Sequence, residues 1–188
     1  AKVHFFYSTM NAGKSTALLQ SAHNYHETGN ETILFIPRED AERNSGLIKS
    51  RIGLSASAIV IDSKLKIFEY VQKEVEKRKI DAILVDEAQF LKKHHVLQMC
   101  KICDELEIPV MCYGIRTDFR GELFEGSGSL LALADNLIEL KTVCNECSKK
   151  ATMVVRLDEN GKVVTKGSKV QIGGNDVYRV LCLSLIHI

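Results

Sequence analysis

The sequence predicts an α/β fold, in which helices flank a mostly parallel sheet and a small β unit follows in the chain. Short apolar runs alternate with segments of helical periodicity up to about residue 141, and this alternation is typical of parallel sheets. Several of the runs are apolar throughout, as strands covered on both faces are. Beyond residue 141 the helical pattern stops, and Asn160-Gly161 and Gly173-Gly174 are turn signals that indicate hairpins.

Five strands are predicted before that change, at residues 2–7, 32–37, 58–61, 80–88 and 109–115. Apolar residues at helical spacing between them predict helices from Lys14 to a stop at Gly29, over 65–75 and over 90–105. Residues 38–56 are polar and without period, which predicts an irregular segment. These patterns divide the chain into three parts, residues 1–141, 142–182 and 183–188.

The composition narrows the class of protein. With 45% hydrophobic and 26% charged residues, the 188-residue chain is typical of a globular protein of one domain with a small appendage. The net charge of +1 argues against a strongly basic surface, so no nucleic-acid partner is expected. No apolar run suits a bilayer, so no membrane partner is expected either. Six cysteines without a secretory signal predict a reducing, cytoplasmic location.

The segment after the first strand resembles a phosphate-binding loop. Its pattern ends in Gly13-Lys14-Ser15, although Ser8 stands where the pattern begins with glycine. Backbone N–H groups of such a loop hold phosphate oxygens, the lysine adds a charge at the β- and γ-phosphates, and the serine hydroxyl binds Mg²⁺. The predicted ATP-binding positions are Ser8, Thr9, Met10, Asn11, Ala12, Gly13, Lys14 and Ser15. The alternative is a strand-to-helix turn with an incidental GKS.

Two carboxylates follow the fourth predicted strand, in "ILVDEAQF" at 83–90. Asp86 comes at the carboxyl end of the strand, where ligands lie in open α/β sheets and where nucleotidases hold Mg²⁺. Glu87 follows it, within reach of whatever attacks a γ-phosphate. It could activate water, giving an ATPase, or a substrate hydroxyl, giving a kinase, and these two motifs leave both open. Two solvated turn residues are the other interpretation.

The cysteines form two C-x-x-C pairs with different surroundings. Cys100 and Cys103 continue the apolar stripe of a helix, which favours core packing. Cys144 and Cys147 lie in the polar stretch "CNEC", a spacing that tetrahedral zinc takes from one knuckle. Cys182 is the third candidate ligand. Two unpaired surface thiols are the alternative for the second pair.

A fourth zinc ligand is doubtful in this chain. Leu185 stands three residues after Cys182, where a knuckle would place its partner, and His187 stands at the fifth position. The tail "LSLIHI", residues 183–188, is apolar and without period. We interpret it as the translation of a sequencing adapter and exclude it from the fold.

Four motifs in order, "MNAGKST", "DEAQF", "CNEC" and "IGGNDVYRVLC", resemble the type II thymidine kinases, the small zinc-containing cytosolic class. The resemblance extends from Val3 to Cys182, and that family tolerates serine at the position of Ser8. It implies a RecA-like P-loop sheet, a small zinc-binding β domain with a lasso-like loop, and ATP-dependent phosphorylation of the 5′-hydroxyl of thymidine or deoxyuridine. It further implies a homotetramer and feedback inhibition by thymidine triphosphate.

The resemblance also implies roles for individual residues. Glu87 matches the proton acceptor for the hydroxyl, Asp86 the Mg²⁺-holding acid, and Gln89 a residue beside the nucleotide. The implied substrate-binding residues are Met10, Phe119, Gln171, Gly173 and Tyr178, and the implied zinc ligands are Cys144, Cys147 and Cys182. Ordinary packing is the alternative for Phe119 and Tyr178. The roles of Arg43 and Arg51 are left open.

Two other functions compete with this interpretation. One is a P-loop ATPase that acts on nucleic acid, since "DEAQ" at 86–89 resembles a helicase box. The chain shows no second motor domain, and its charge is near neutral. The other is a zinc-ribbon adaptor with a vestigial nucleotide fold, against which the phosphate loop and Glu87 argue.

Overall fold

The computed structural model describes residues 1–168 and 177–185, with every side chain in those ranges except that of Arg43. Strands are β1 (Val3–Ser8), β2 (Thr32–Pro37), β3 (Leu47–Lys49), β4 (Ser55–Ser57), β5 (Ile59–Ile61), β6 (Ala82–Val85), β7 (Val110–Ile115), β8 (Asn136–Glu139), β9 (Thr142–Val143), β10 (Lys150–Ala151), β11 (Met153–Leu157), β12 (Val163–Val164) and β13 (Tyr178–Leu181). Helices are α1 (Lys14–Glu27), α2 (Arg38–Asn44), α3 (Ile67–Val75), α4 (Lys93–Glu105) and α5 (Glu125–Leu133), with 3₁₀ turns at Ala88–Phe90 and Leu183–Leu185.

A six-stranded parallel sheet in the order β5-β2-β6-β7-β1-β8 forms the centre of the fold. Helix α1 covers one face, where Leu18, Leu19 and Ala22 pack against buried side chains of β2 and β6. Helices α3, α4 and α5 cover the other face. The predicted α/β class with a mostly parallel sheet is therefore confirmed. Strand β7 separates β1, which leads into the phosphate loop, from β6, which leads to Asp86.

The prediction that residues 38–56 are irregular is wrong. This segment contains α2 and the β3–β4 hairpin, which are anchored by the buried side chains of Ala41 and Ile48. These elements were missed because each is only a turn or two long and buries one or two apolar residues, too few to give a periodic signal. The predicted strand 80–88 is also shorter, because the backbone of Glu87 turns into the left-handed region with φ of 48°.

The small β unit follows β8 and has its own apolar cluster. Strands β9 and β10 form a hairpin, and β11 pairs with β12 and β13 in an antiparallel sheet. Met10 from the phosphate loop packs against this cluster, and the hydroxyl of Thr142 donates to the carbonyl of Asn11 over 3.4 Å. The small unit therefore touches the nucleotide loop. No helix in the described ranges has the length and apolar character needed to cross a bilayer.

His95, at the start of α4, is a buried titratable residue. Its Nδ1 accepts a hydrogen bond from the backbone N–H of Lys92 over 3.2 Å, while its Nε2 lacks a hydrogen-bond partner in the described part of the chain. Burial, helped by the charges of His94 and Lys92, lowers the pKa of His95 from 6.5 to about 4. The imidazole is therefore neutral in the folded protein at neutral pH.

Acid should destabilise the protein through His95. Between pH 6.5 and about 4 the unfolded chain binds a proton at His95 that the folded protein excludes. The free energy of unfolding is therefore not reduced by His95 above pH 6.5, and it falls as the pH drops below that value. Between pH 7 and pH 5 it should decrease by on the order of 1–2 kcal/mol. In denaturant titrations at both pH values, His95→Gln should flatten this dependence, and His23→Gln, at an exposed site, should not. Parallel pH dependence in wild type and His95→Gln would refute this role.

Candidate active site

The phosphate loop lies between the end of β1 at Ser8 and the start of α1 at Lys14. Gly13 has φ of 71°, a left-handed conformation that glycine adopts without strain. The Lys14 ammonium donates to the Ser8 hydroxyl over 3.1 Å and to the carbonyl of Thr9 over 2.8 Å. Ser8 stands where the pattern begins with glycine, and its hydroxyl contacts the Lys14 ammonium. The serine at this position therefore helps to hold the lysine.

Lys14 is a buried cation between two acids. Burial lowers its pKa, the negative charges of Glu87 and Asp86 oppose this shift, and the positive charge of Arg51 adds to it. The first turn of α1 also starts at this point, and its backbone N–H groups have no acceptor within the helix. Together these groups suit a polyanion such as a nucleotide phosphate.

Asp86 lies directly after β6 and is 2% exposed. Burial, and then the neighbouring charge of Glu87, raise its pKa to about 7, against a hydrogen bond from the Ser15 side chain. A divalent cation would favour the charged form of this acid. The Ser15 hydroxyl and the Asp86 carboxylate are oxygen donors of the type that Mg²⁺ takes, so the residues present fit that ion.

Glu87 is held in place by Gln89. The Gln89 amide donates to the Glu87 carboxylate, and its carbonyl oxygen accepts from the backbone N–H of Ile115 over 3.1 Å. Gln89 is buried, whereas Glu87 is half-buried. This chain of contacts fixes the position of the Glu87 carboxylate relative to β7.

One cavity of about 690 Å³ joins these groups, a volume in the range of small-molecule sites. Predicted residues on its wall are Met10, Asn11, Ala12, Gly13, Lys14, Ser15, Glu87, Gln89, Phe119 and Tyr178. Ser8, Thr9 and Asp86 do not line it and lie buried. The predicted residues Gln171 and Gly173 lie outside the described residues.

Phe119 projects from a loop that Asp118 organises. The buried Asp118 carboxylate accepts from the backbone N–H groups of Arg120 and Glu122, over 2.9 and 3.0 Å, and forms an ion pair with the Arg120 side chain. The aromatic ring is therefore carried on a fixed turn rather than a mobile one. Asp118 was not among the residues predicted from the sequence, although an Asx-turn pattern at 118–122 was an available signal for it.

The cavity has other lining residues that the sequence analysis did not assign to the site. They are Thr16, Asp40, Lys49, Ser50, Arg51, Ile52, Phe90, Ile115, Thr117, Asp118, Phe124, Asn145 and Val154. Several come from the β3–β4 hairpin and from the small β unit, which lie far from the phosphate loop in sequence. No local motif identifies the lining residues of the hairpin and of the small β unit.

Three cysteines of the small unit converge. The Sγ atoms of Cys144, Cys147 and Cys182 all lie within 4.8 Å of one another, and those of Cys147 and Cys182 are 3.7 Å apart. Four thiolates about 2.3 Å from a tetrahedral zinc have edges of about 3.8 Å, so this spacing fits zinc. Burial raises the pKa of Cys144, but backbone N–H donors from Glu146, Cys182 and Cys147 prevail and lower it to about 7.

The parallel sheet, the phosphate loop after β1 and the acid at the end of β6, with β7 between these two strands, define a RecA-like P-loop nucleotide-binding protein. Comparison with known proteins makes this class narrower. A family model described as thymidine kinase matches residues 1–185. The thymidine kinase of Rhodopirellula baltica is 50% identical over 182 residues, which cover 97% of this chain and 86% of that protein. Those of Zymomonas mobilis and Haemophilus influenzae are also 50% identical, with 97% of this chain and 94% of each relative covered.

This chain therefore belongs to the thymidine kinase family, and it is an enzyme of the phosphotransferase type. The resemblance inferred from the four sequence motifs is confirmed.

Proposed function

We propose that this enzyme transfers the γ-phosphoryl group of ATP to the 5′-hydroxyl of thymidine, and of deoxyuridine, in nucleotide salvage for DNA synthesis. The observation that carries the proposal is the position of Glu87. It lies on the wall of one cavity that also contains the phosphate-loop lysine and the aromatic residues Phe119 and Tyr178. A phosphate donor and a nucleoside can therefore meet at one carboxylate.

The proposed step is direct transfer. The 5′-oxygen forms a bond to the γ-phosphorus, the bond from that phosphorus to the β,γ-bridging oxygen breaks, and ADP leaves. Glu87 accepts the hydroxyl proton, while Gln89 keeps the carboxylate oriented. Lys14 and the N–H groups of the loop stabilise the phosphate charge. When bound, Mg²⁺ would neutralise phosphate charge, and Ser15 and Asp86 would hold it.

We assign the nucleoside base to the part of the cavity wall that contains Phe119 and Tyr178. Phe119 and Tyr178 are each less than a tenth exposed and line the cavity wall, so a flat pyrimidine can stack there. Met10 belongs to the phosphate loop, packs against the small β unit and lines the cavity. We assign to this apolar, adaptable side chain the contact with the thymine methyl group. Phosphate loop and base pocket thus belong to one continuous site.

We propose zinc as a structural ion of the small unit, held by Cys144, Cys147 and Cys182. Zinc bound there would crosslink the β9–β10 hairpin to the end of β13. The position three residues after Cys182 carries Leu185, which cannot ligate, and His187 lies outside the described residues. The chain thus supplies three thiolate ligands within the described ranges.

Zinc should consequently be held loosely. After dialysis against EDTA, metal analysis of the purified protein should give well below about one zinc per chain, because a closed structural site needs four ligands. Cys144→Ser should lower the occupancy further, whereas Cys100→Ser, which alters a half-buried helix thiol outside the cluster, should not. Stoichiometric zinc that survives dialysis would contradict the prediction.

The function itself is tested by one assay. Purified protein with ATP, Mg²⁺ and thymidine should form thymidine monophosphate and ADP in equal amounts. DNA-stimulated ATP hydrolysis without that product would instead indicate a nucleic-acid motor. Absence of both activities would indicate a binding module, and either result would overturn the proposal.

We propose a division of the chain into the nucleotide-binding unit 1–141 and the β unit 142–182, because the helical pattern of the sequence stops near residue 141. On the family resemblance alone, we propose a homotetrameric assembly and feedback inhibition by thymidine triphosphate. We also propose a cytoplasmic location, which the six free thiols support.

A further inference from the structure

Arg156 is a buried cation behind the proposed base pocket. It lies on β11 and is 4% exposed. Its guanidinium carbon lies 4.0 Å from the centroid of the Phe119 ring. Its two terminal nitrogens donate to the carbonyls of Ser168, over 2.9 Å, and Lys166, over 3.0 Å. One side chain thus joins an aromatic wall of the cavity to the chain segment 166–168.

The register of the small sheet fixes where Arg156 points. Arg156 pairs with Tyr178 on β13, and Val154 lies two residues earlier on the same face of β11. Val154 and Tyr178 both line the cavity. Among the described residues, Arg156 is not part of the cavity wall, so its contact with the site is made through the Phe119 ring.

A second position is adapted to this contact. A Cβ added at Gly167 would lie 2.4 Å from a terminal nitrogen of Arg156, and Gly167 has φ of 127°. An L side chain at this φ is strained, and a Cβ there would displace the guanidinium from its present position. Gly167 and Arg156 therefore form one matched unit, although they belong to different segments.

We infer that Arg156 is a positioning residue for nucleoside binding, an inference that rests on the proposed function. The planar fork of its guanidinium satisfies two carbonyls while its central carbon lies over the Phe119 ring, a combination that lysine cannot reproduce. The segment 166–168 thereby fixes the guanidinium, and the guanidinium fixes the ring against which the pyrimidine stacks. Nucleoside affinity should depend on this unit, and ATP affinity should not.

Steady-state kinetics of variants test the inference. Arg156→Met should raise the KM for thymidine by about tenfold or more, with the KM for ATP and kcat changed by less than about threefold. Arg156→Lys should rescue little of this loss, since the charge is kept but the fork is lost. Arg179→Met is the matched control, because Arg179 lies on the adjacent strand with an exposed side chain paired to Glu146.

Two further measurements distinguish a failure of the inference about Arg156 from a failure of the proposed function. Hydrogen exchange of residues 164–168 should be faster in Arg156→Met than in wild type, with or without substrate, because the two hydrogen bonds from Arg156 to this segment are lost. Gly167→Ala should also raise the KM for thymidine, because its Cβ would displace the guanidinium although both Arg156 and Phe119 are still present. Wild-type protein that makes no thymidine monophosphate would overturn the proposed function. An active wild type with an unchanged thymidine KM in both variants, or a parallel rise in the KM for ATP, would overturn the inference about Arg156.

Discussion

Replacing Glu87 with glutamine should reduce kcat for thymidine phosphorylation by about 10²- to 10⁴-fold, the contribution typical of a general base. Glutamine has nearly the same shape as glutamate but cannot accept the hydroxyl proton. Its side-chain carbonyl can still accept the hydrogen bond from Gln89. The variant should therefore keep the geometry of the turn and lose the chemistry.

The measurement pairs initial rates with calorimetric binding of ATP. The affinity of Glu87→Gln for ATP should stay within about threefold of wild type, because phosphate binding depends on the loop and Lys14. Glu105→Gln removes an exposed carboxylate on α4 and should leave the rate unchanged. If Glu87→Gln retains a rate within about tenfold of wild type, Glu87 is not the proton acceptor.

The second large effect is expected at Gly126, in the first turn of α5. A Cβ there would lie 2.3 Å from the carbonyl oxygen of Ala88 and 2.9 Å from those of Gln89 and Leu91. All three are backbone atoms of the turn that follows Glu87, so no side chain can move aside. Gly126→Ala should destabilise the protein by about 1–3 kcal/mol or more, as overpacking does.

Activity should fall with stability in this variant. Displacing the 88–91 turn moves Gln89, which orients Glu87, so kcat should drop by about tenfold or more even where the protein is folded. Denaturant unfolding and the kinase assay measure the two effects separately.

The control for Gly126→Ala lies two residues away in the same helix. A Cβ at Gly128 would meet only Leu123 side-chain atoms, at 3.8 and 3.9 Å, which is ordinary contact. Because alanine is favoured over glycine within helices by about 0.5–1 kcal/mol, Gly128→Ala should be neutral or stabilising. Equal effects at the two positions would show that the approach of α5 to the 88–91 turn does not constrain Gly126.

The parallel sheet and the protein family could be predicted from the sequence because the patterns that indicate them are local. A run of apolar residues, a loop that ends in Gly13-Lys14-Ser15 and the pair Asp86-Glu87 each occupy a few consecutive residues. Short buried pieces gave weaker signals. The helix α2 and the β3–β4 hairpin each bury one or two apolar side chains, so residues 38–56 were wrongly predicted to be irregular.

The sequence by itself determined the class of fold, the phosphate loop, the acidic pair and the C-x-x-C pair of Cys144 and Cys147, because neighbouring residues define each of them. The tertiary structure alone decided which distant residues meet. It brought Arg156 to Phe119 and to the carbonyls of 166–168, Gly126 to the turn after Glu87, and Cys182 to Cys147. These contacts depend on strand register and on the approach of backbones, and residues distant in the chain carry no local pattern that records such distances.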